Sequence, residues 1–431
     1  MSARRTIFIS GMFDMNNYGD LLFPLVARAR LADAGFDVVA VSPTGGQADF
    51  PDALPTIDIG EMLSGSIAPA GILIGGGYMI HANSLAFLDH YGDPSLGNWA
   101  GAGLWLGATL AAALRDIPIA WNAPGVPHPF SSRQRRVIDA ARHAASYVSV
   151  RDEGSRHLLA PATEDASIAI VPDPIADLPR LWSRADLADP FRQLLARKGM
   201  APDTQLLAIH IRNRSVAGVD RQALGSALRQ FTEARRMVPM LVAVGQNHDD
   251  PTVARQFADS LGAPCLMLDD PLSLQEISAA IAHSALYIGA SLHGYVAASA
   301  YGVPGILVGR PSYNKFSGFL AHCGRPQDLA RTWEEALTMA STKGQRQDGS
   351  LLPASIADAL DRHWARITAA FDAPVERREA RRDFALTWMR DMIANDGPGW
   401  ALQPILNRRM RTQPAAAGGL FDLSPIAKEH P

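Results

Sequence analysis

The segment Ile288-Gly-Ala-Ser291-Leu292-His293-Gly294 places a serine and a histidine directly after an apolar run. If that run is a strand and the next residues begin a helix, the helix start offers free N–H groups and a positive dipole end. His293 beside it exchanges protons near neutral pH. Ser291, Leu292, His293 and Gly294 then form an anion site that carries its own acid. A capping or packing histidine fits the same residues. Val148-Ser-Val-Arg151-Asp152 puts a guanidinium where a strand meets a helix, suited to fork-like contact with a carboxylate or phosphate. A purely structural Arg151–Asp152 pair is the alternative. Lys315, in Pro311-Ser-Tyr-Asn-Lys315-Phe316, is expected on a loop after another strand. It is either a phosphate-binding ammonium or a solvated charge.

Two glycine-bearing segments complete the set. Asn16-Asn17-Tyr18-Gly19-Asp20 follows the first apolar run. Asn17, Gly19 and Asp20 suit a tight strand-to-helix turn, with Asp20 as a cap or with backbone N–H groups turned toward a ligand. Gly75-Gly76-Gly77 follows Gly71-Ile-Leu-Ile and lets a backbone approach a ligand or a neighbouring strand closely. His81, four residues on, faces the same region or bonds structurally. Asp173, in Val171-Pro-Asp-Pro, is expected to shape a turn between domains. No D-x-D, H-E-x-x-H, G-x-S-x-G, C-x-x-C or P-loop pattern occurs.

These residues recur at the ends of apolar runs, and the runs alternate with helical stretches, as in parallel α/β folds. The spacing predicts strands at Thr6–Ser10, Asp37–Ser42, Gly71–Ile74, Ile117–Ala120, Tyr147–Val150 and Ile168–Val171. The alternation restarts at Leu206–Ile211 and continues through Met240–Val244, Cys265–Leu268, Leu286–Ile288 and Gly305–Val308. The fold class is therefore two Rossmann-like, doubly wound domains facing a cleft, with C-terminal helices. The expected divisions are residues 1–180 (acceptor side), a linker at 181–203, residues 204–345 (donor side), helices over 346–395 and a mobile tail over 396–431. The length of 431 residues and a 47% hydrophobic content suit two such cores. A net charge of −3 gives no basic footprint for nucleic acid. Two cysteines make neither a disulfide framework nor a zinc cluster. The N-terminal run reads as a strand rather than a signal peptide. The uncharged stretch 95–114 reads as a buried helix rather than a membrane span. The expected compartment is cytoplasmic.

In order, the motifs are N-x-G-D after the first strand, a glycine-rich strand end, V-R-D-x-x-S, D-P, then S-x-H-G and G-V-P. Over residues 6–320 this resembles the polysaccharide pyruvyltransferase family. The resemblance implies a GT-B-like fold, phosphoenolpyruvate as donor substrate, no cofactor or metal, and a ketal pyruvate on a surface or extracellular glycan. The acceptor it implies is a sugar or a lipid-linked oligosaccharide, the latter with a peripheral seat at the inner membrane face. The family's proton-donating histidine falls on His293, its arginine on Arg151 and its lysine on Lys315. Many members carry arginine two residues before the histidine; here that position is Ser291, and Arg212 or Arg310 could replace the lost cation. Protonating the donor's methylene carbon makes C2 electrophilic toward a sugar hydroxyl, so the site needs one acid and cations for two anionic groups. The donor's charges favour the imidazolium more than the helix start disfavours it. Two rival readings share the fold: a nucleotide-sugar glycosyltransferase, with Glu276 or Asp249 for the ribose, and a non-catalytic glycan-binding protein.

Overall fold

The computed structural model describes residues 4–160, 167–245 and 250–402. Of the expected tail, Asp396 ends one helix and Gly399–Leu402 form another, while the positions beyond 402, and Asp249, lie outside the described residues. The chain forms two parallel sheets. The first runs β3-β4-β2-β1-β5-β6, from β1 (Arg5–Ser10), β2 (Phe36–Ser42), β3 (Thr44–Gly46), β4 (Thr56–Asp58), β5 (Gly71–Ile74) and β6 (Ile119–Trp121). Only β3 is antiparallel to its neighbour. A small sheet of β7 (Val148–Val150) and β8 (Ile168–Ile170) continues it through a bridge from Tyr147 to Ala120. The second sheet runs β11-β10-β9-β12-β13-β14. Its strands are β9 (Leu206–His210), β10 (Val238–Val242), β11 (Leu266–Leu268), β12 (Leu286–Gly289), β13 (Gly305–Val308) and β14 (Leu329–Ala330).

In each sheet the chain reverses its direction of travel beside a central strand. β1 lies between β2 and β5, with Ile7 opposite Val38 and Gly71. β9 lies between β10 and β12, with Ala208 opposite Met240 and Tyr287. Such switch points open crevices beyond the carboxyl ends of the strands, where ligands bind. Strands this apolar, buried on both faces, need helices on both sides.

The uncharged stretch forms the helix Pro94–Ala102, a π turn at Gly103–Gly107 and the helix Ala108–Arg115. Ser10 Oγ donates to the Leu104 carbonyl at 2.7 Å, and a side chain inserted into the helical ladder accounts for the wider turn. Trp105 is buried edge-on to Trp121. No helix among the described residues is long and apolar enough to cross a membrane. The segment expected as a linker carries its own helix, Ala188–Arg197, whose Arg197 donates from Nη2 to both carboxylate oxygens of Glu276 and from Nη1 to Asp270.

The two sheets are stitched together. Tyr18 N–H donates to the Val244 carbonyl at 2.8 Å, and Tyr18 Oη meets Ser278 Oγ at 2.9 Å. The Asp52 carboxylate accepts from the N–H groups of Leu274 and Gln275. One continuous apolar core takes in Ile7 and Leu73 of the first sheet together with Leu206, Met240 and Tyr287 of the second. The helix Ala354–Asp372 returns to brace the first sheet: Phe371 packs on Phe36, and His363 Nε2 meets Asn122 Oδ1 at 2.9 Å. By contacts, everything up to Ala385 is one unit. Of the second, from Leu386, the described part is the end of the helix Arg378–Asp396 and the short helix Gly399–Leu402.

Candidate active site

A cavity of about 480 Å³ lies beyond the carboxyl ends of β1, β5, β9, β12 and β13. Asn17, Asp20, Gly77, His81, Arg151, Arg212, Ser291, Leu292, His293 and Lys315 all line it. Residues from across the chain are thus brought to one place.

His293 is the second residue of the helix Leu292–Ala300, whose cap is Ser291, with Gly294 N–H donating to its Oγ at 3.3 Å. Its Nε2 faces Asp173 Oδ2 at 3.6 Å, an ion-pair separation just beyond hydrogen-bond length. Phe23 meets the ring edge-on at 5.7 Å. Asp173 also caps a short helical turn, accepting from Ile175 N–H at 3.0 Å. It therefore makes the turn expected of it and, in addition, faces the histidine. Burial opposes its ionisation, but the cationic form of His293, the Arg151 guanidinium and the Ile175 N–H outweigh burial and hold its carboxyl below the usual range.

Arg151 is buried and stacks at 3.9 Å on the ring of Tyr78. Its Nε is 3.5 Å from Asp152 Oδ2, yet Nε and Nη2 have no hydrogen-bond partner. Asp152 spends its other oxygen capping the helix Glu153–Leu159 through Ser155 N–H. A structural ion pair alone would not leave a buried guanidinium so poorly satisfied, since unmet donors of this kind are costly. Lys315 is the second residue of the helix Asn314–His322, not a loop residue as its sequence suggested. Its ammonium sits 5.2–5.6 Å from the rings of Tyr78, Tyr313 and Phe316. Burial first, then the cations of Arg151 and Arg212, push its amine down to about 7, against the pull of Asp20 and Asp173. Burial also pushes the carboxyl of Asp20 up, despite His293, Lys315, Arg212 and Arg151 around it.

Of the two arginines that could replace the cation missing at position 291, Arg212 lines this cavity. Arg310 lines only an adjoining hollow, and its Nη2 donates to the Ala217 carbonyl at 2.6 Å. Behind Arg212 lies a buried pair, with His210 Nε2 at 2.9 Å from Asp250 Oδ2 and Asp250 Oδ1 3.7 Å from Arg212 Nε. His81 Nδ1 accepts from Asn83 N–H at 3.2 Å, which leaves its proton on Nε2. Burial first, then the neighbouring His128, lowers its basicity. Among the described residues no group of three or more His, Cys, Asp or Glu is gathered to hold a metal.

Four readings of the glycine-bearing segments change. The cap of the helix Tyr18–Ala32 is Asn17, while Asp20 lies in the first turn and accepts from Asn17 Nδ2 at 2.8 Å. Gly19 does not line the cavity. A Cβ there would stand 1.6 Å from His293 Nδ1, so the residue is a seat for the imidazole. Gly76 likewise makes room for Phe23, and Gly294 for Tyr287, neither reaching the cavity. Gly77 does line it, with φ +88° at the turn after β5. Tyr78, Gly125 and Asp173 are the members that sequence reasoning missed as site residues. A Cβ at Gly125 would stand 2.5 Å from Arg151 Nη2, so this glycine opens the guanidinium's berth. Its neighbours Pro124 and Pro127 were the available signal of a fixed turn.

The family model for polysaccharide pyruvyl transferase matches residues 17–312, most of the chain. It begins at Asn17 and stops three residues short of Lys315. No curated protein matches the chain. Among solved structures, the UDP-GlcNAc 2-epimerase of Methanocaldococcus jannaschii is similar at TM-score 0.53 and 13% identity, covering 85% of this chain and 99% of that one. The same archaeal protein in complex with UDP-GlcNAc and UDP gives 0.50 and 12%, covering 84% and 99%. At these identities the likeness is one of fold: two Rossmann-like domains around a cleft.

Proposed function

The chain belongs to the polysaccharide pyruvyl transferase family, and from that premise we propose that it moves a pyruvyl group from phosphoenolpyruvate to a sugar, forming a ketal and releasing phosphate. The observation that carries the proposal is the convergence of Arg151, Arg212, Lys315 and His293 on one cavity. Phosphoenolpyruvate carries a carboxylate and a phosphate branching from one carbon, C2, and its binding needs cations on more than one side. Arg151, whose Nε and Nη2 are unpartnered, suits one group bidentately. Lys315 and Arg212 suit the other. The donor then lies against both halves of the chain, Arg151 coming from the first and the other three from the second.

His293 gives a proton to the methylene carbon, and the C2 cation so formed is attacked by a sugar hydroxyl. The C2–O bond to phosphate breaks, phosphate leaves, and a second hydroxyl attacks C2 to close the ketal. Asp173 faces the imidazole at 3.6 Å and orients it toward the donor. The two attacking hydroxyls give up two protons: one leaves on the released phosphate and the other restores His293, so acid and base balance over the cycle.

The nucleotide-sugar reading loses one of its two candidate acids, because Glu276 is committed to Arg197 and to Leu272 N–H. The deciding experiment incubates the protein with phosphoenolpyruvate and a panel of sugar acceptors and follows phosphate. Acceptor-dependent release is expected. Calorimetry giving tight binding of a nucleotide sugar and none of phosphoenolpyruvate would overturn the proposal.

A further inference from the structure

A second hollow of about 380 Å³ opens beside the first and shares a wall with it, including Phe87, Arg212, Arg214 and Tyr313. Phe87 is the unusual member. Its side chain is 74% exposed, while Leu85, Leu88 and Tyr91 on the same turn are buried with Met15 and Ala100. The turn is pinned rather than loose. Leu85 N–H donates to the Gly97 carbonyl at 2.8 Å, Leu88 N–H to the Leu85 carbonyl at 2.9 Å, and Ala86 N–H to Ser84 Oγ at 3.1 Å. Tyr91 Oη donates to Asp14, which also accepts from Thr44. A turn held at both ends, with its other large side chains buried, presents one phenyl ring to solvent at the mouth of the site.

The polar residues that line this hollow are Asp89, Asn213 and three arginines, Arg212, Arg214 and Arg310, the last with its Nη2 already given to the Ala217 carbonyl. A flat apolar face beside a few convergent hydrogen-bonding groups matches a pyranose. Such a sugar has an apolar C–H face and hydroxyls around its rim that both donate and accept. We propose that this hollow is the acceptor subsite and takes a pyranose with its C–H face on Phe87. The word acceptor rests on the pyruvyl-transfer reading; sugar binding at Phe87 does not. The shared wall puts the sugar's hydroxyls next to the cavity that holds His293.

The test uses the full chain and saturation-transfer NMR with methyl pyranosides of galactose, glucose, mannose and N-acetylmannosamine, with and without phosphoenolpyruvate. At least one glycoside is expected to take up saturation on its ring C–H protons. Phe87→Ala should weaken that binding about tenfold, the effect of losing one seated aromatic anchor. Phe87→Trp should keep it, and both variants should bind phosphoenolpyruvate as the wild type does. Glycosides that fail to bind the wild type, or that bind Phe87→Ala equally well, overturn the subsite. If glycosides bind through Phe87 while phosphoenolpyruvate never binds, the pyruvyl-transfer reading falls and the sugar site stands.

Discussion

Replacing Gly19 by alanine tests the geometry around His293 with a single methyl group. The added Cβ would lie 1.6 Å from His293 Nδ1. Carbon and nitrogen in ordinary contact stand about 3.5 Å apart, so the ring must retreat by roughly 2 Å. Its side chain is 15% exposed and borders the cavity, so it has somewhere to go. Position 19 is also helical, where alanine is favoured over glycine by about 0.5–1 kcal/mol. The fold should therefore persist, with a melting temperature close to that of the wild type. A reacting group misplaced by about 1 Å can cost a hundredfold in rate, so turnover should fall by at least that factor. Arg151 and Lys315 are untouched, and phosphoenolpyruvate affinity should change little. Gly344→Ala, where nothing lies within 4 Å of the new Cβ, is the control. Steady-state phosphate release, thermal melting and donor calorimetry on the three proteins decide the matter. A Gly19→Ala protein with wild-type turnover would refute both the seat and the catalytic assignment of His293.

His293→Gln should keep the fold and most donor affinity while losing about a hundredfold or more in turnover, the size of a general-acid contribution; melting curves and steady-state rates separate this from a packing role. Arg151→Ala should weaken phosphoenolpyruvate binding by about 1.5–3 kcal/mol, as the loss of a charge-assisted bond does. Arg151→Lys should restore only part of it, because an ammonium lacks the fork; calorimetry on both variants checks this. Lys315 is lowered to about 7 in the fold from 10.5, so the unfolded chain holds the extra proton between those values and stability rises with pH across that window. The wild type should accordingly gain melting temperature relative to Lys315→Met as pH goes from 7 to 10. An anionic donor should also draw a proton onto this amine, so donor binding near pH 8 should take up protons and weaken as pH rises. Calorimetry in two buffers of different ionisation enthalpy reads that uptake, and identical heats in both would sink it.

Much of the framework could be read from the chain. The apolar runs ending in Gly75-Gly76-Gly77, Arg151, Ser291 and Lys315 are strands whose carboxyl ends do meet, because parallel sheets leave few other arrangements. The strand expected at Met240–Val244 lies two residues earlier, at Val238–Val242, and the Val244 carbonyl instead accepts from Tyr18 N–H beside the Asn17–Gly245 bridge. Strands β3 (Thr-Gly-Gly), β4 (Thr-Ile-Asp) and β14 (Leu-Ala) carry no apolar run to declare them, unlike the equally short β6, β7, β8 and β11. What sequence could not supply were partnerships across the cleft. Asp173 and His293 are 120 positions apart, and only tertiary packing brings them within 3.6 Å. The sequence offers Gly19 as turn or ligand-facing backbone and Gly76 as backbone that approaches a ligand or a neighbouring strand. At both the close approach is instead to a side chain, that of His293 or Phe23, and Gly125, which no motif marks, makes the same room for Arg151. A missing side chain marks a crowded spot without saying who the neighbour is.

The stitching between the sheets bears on how the molecule comes apart. Two Rossmann-like sheets joined by a short segment ordinarily invite separate melting, each losing its own core at its own temperature. Here the first helix and the Asp52 carboxylate are bonded to elements of the second sheet, and one apolar cluster runs through both. Unfolding either sheet alone would strand the Tyr18 N–H and the start of the helix Leu274–Ala282 without partners and expose half of a shared core. Residues through Ala385 should therefore behave as a single cooperative unit. Scanning calorimetry should return one endotherm with matching calorimetric and van't Hoff enthalpies, and a chain severed between residues 181 and 203 should not give two fragments that fold alone.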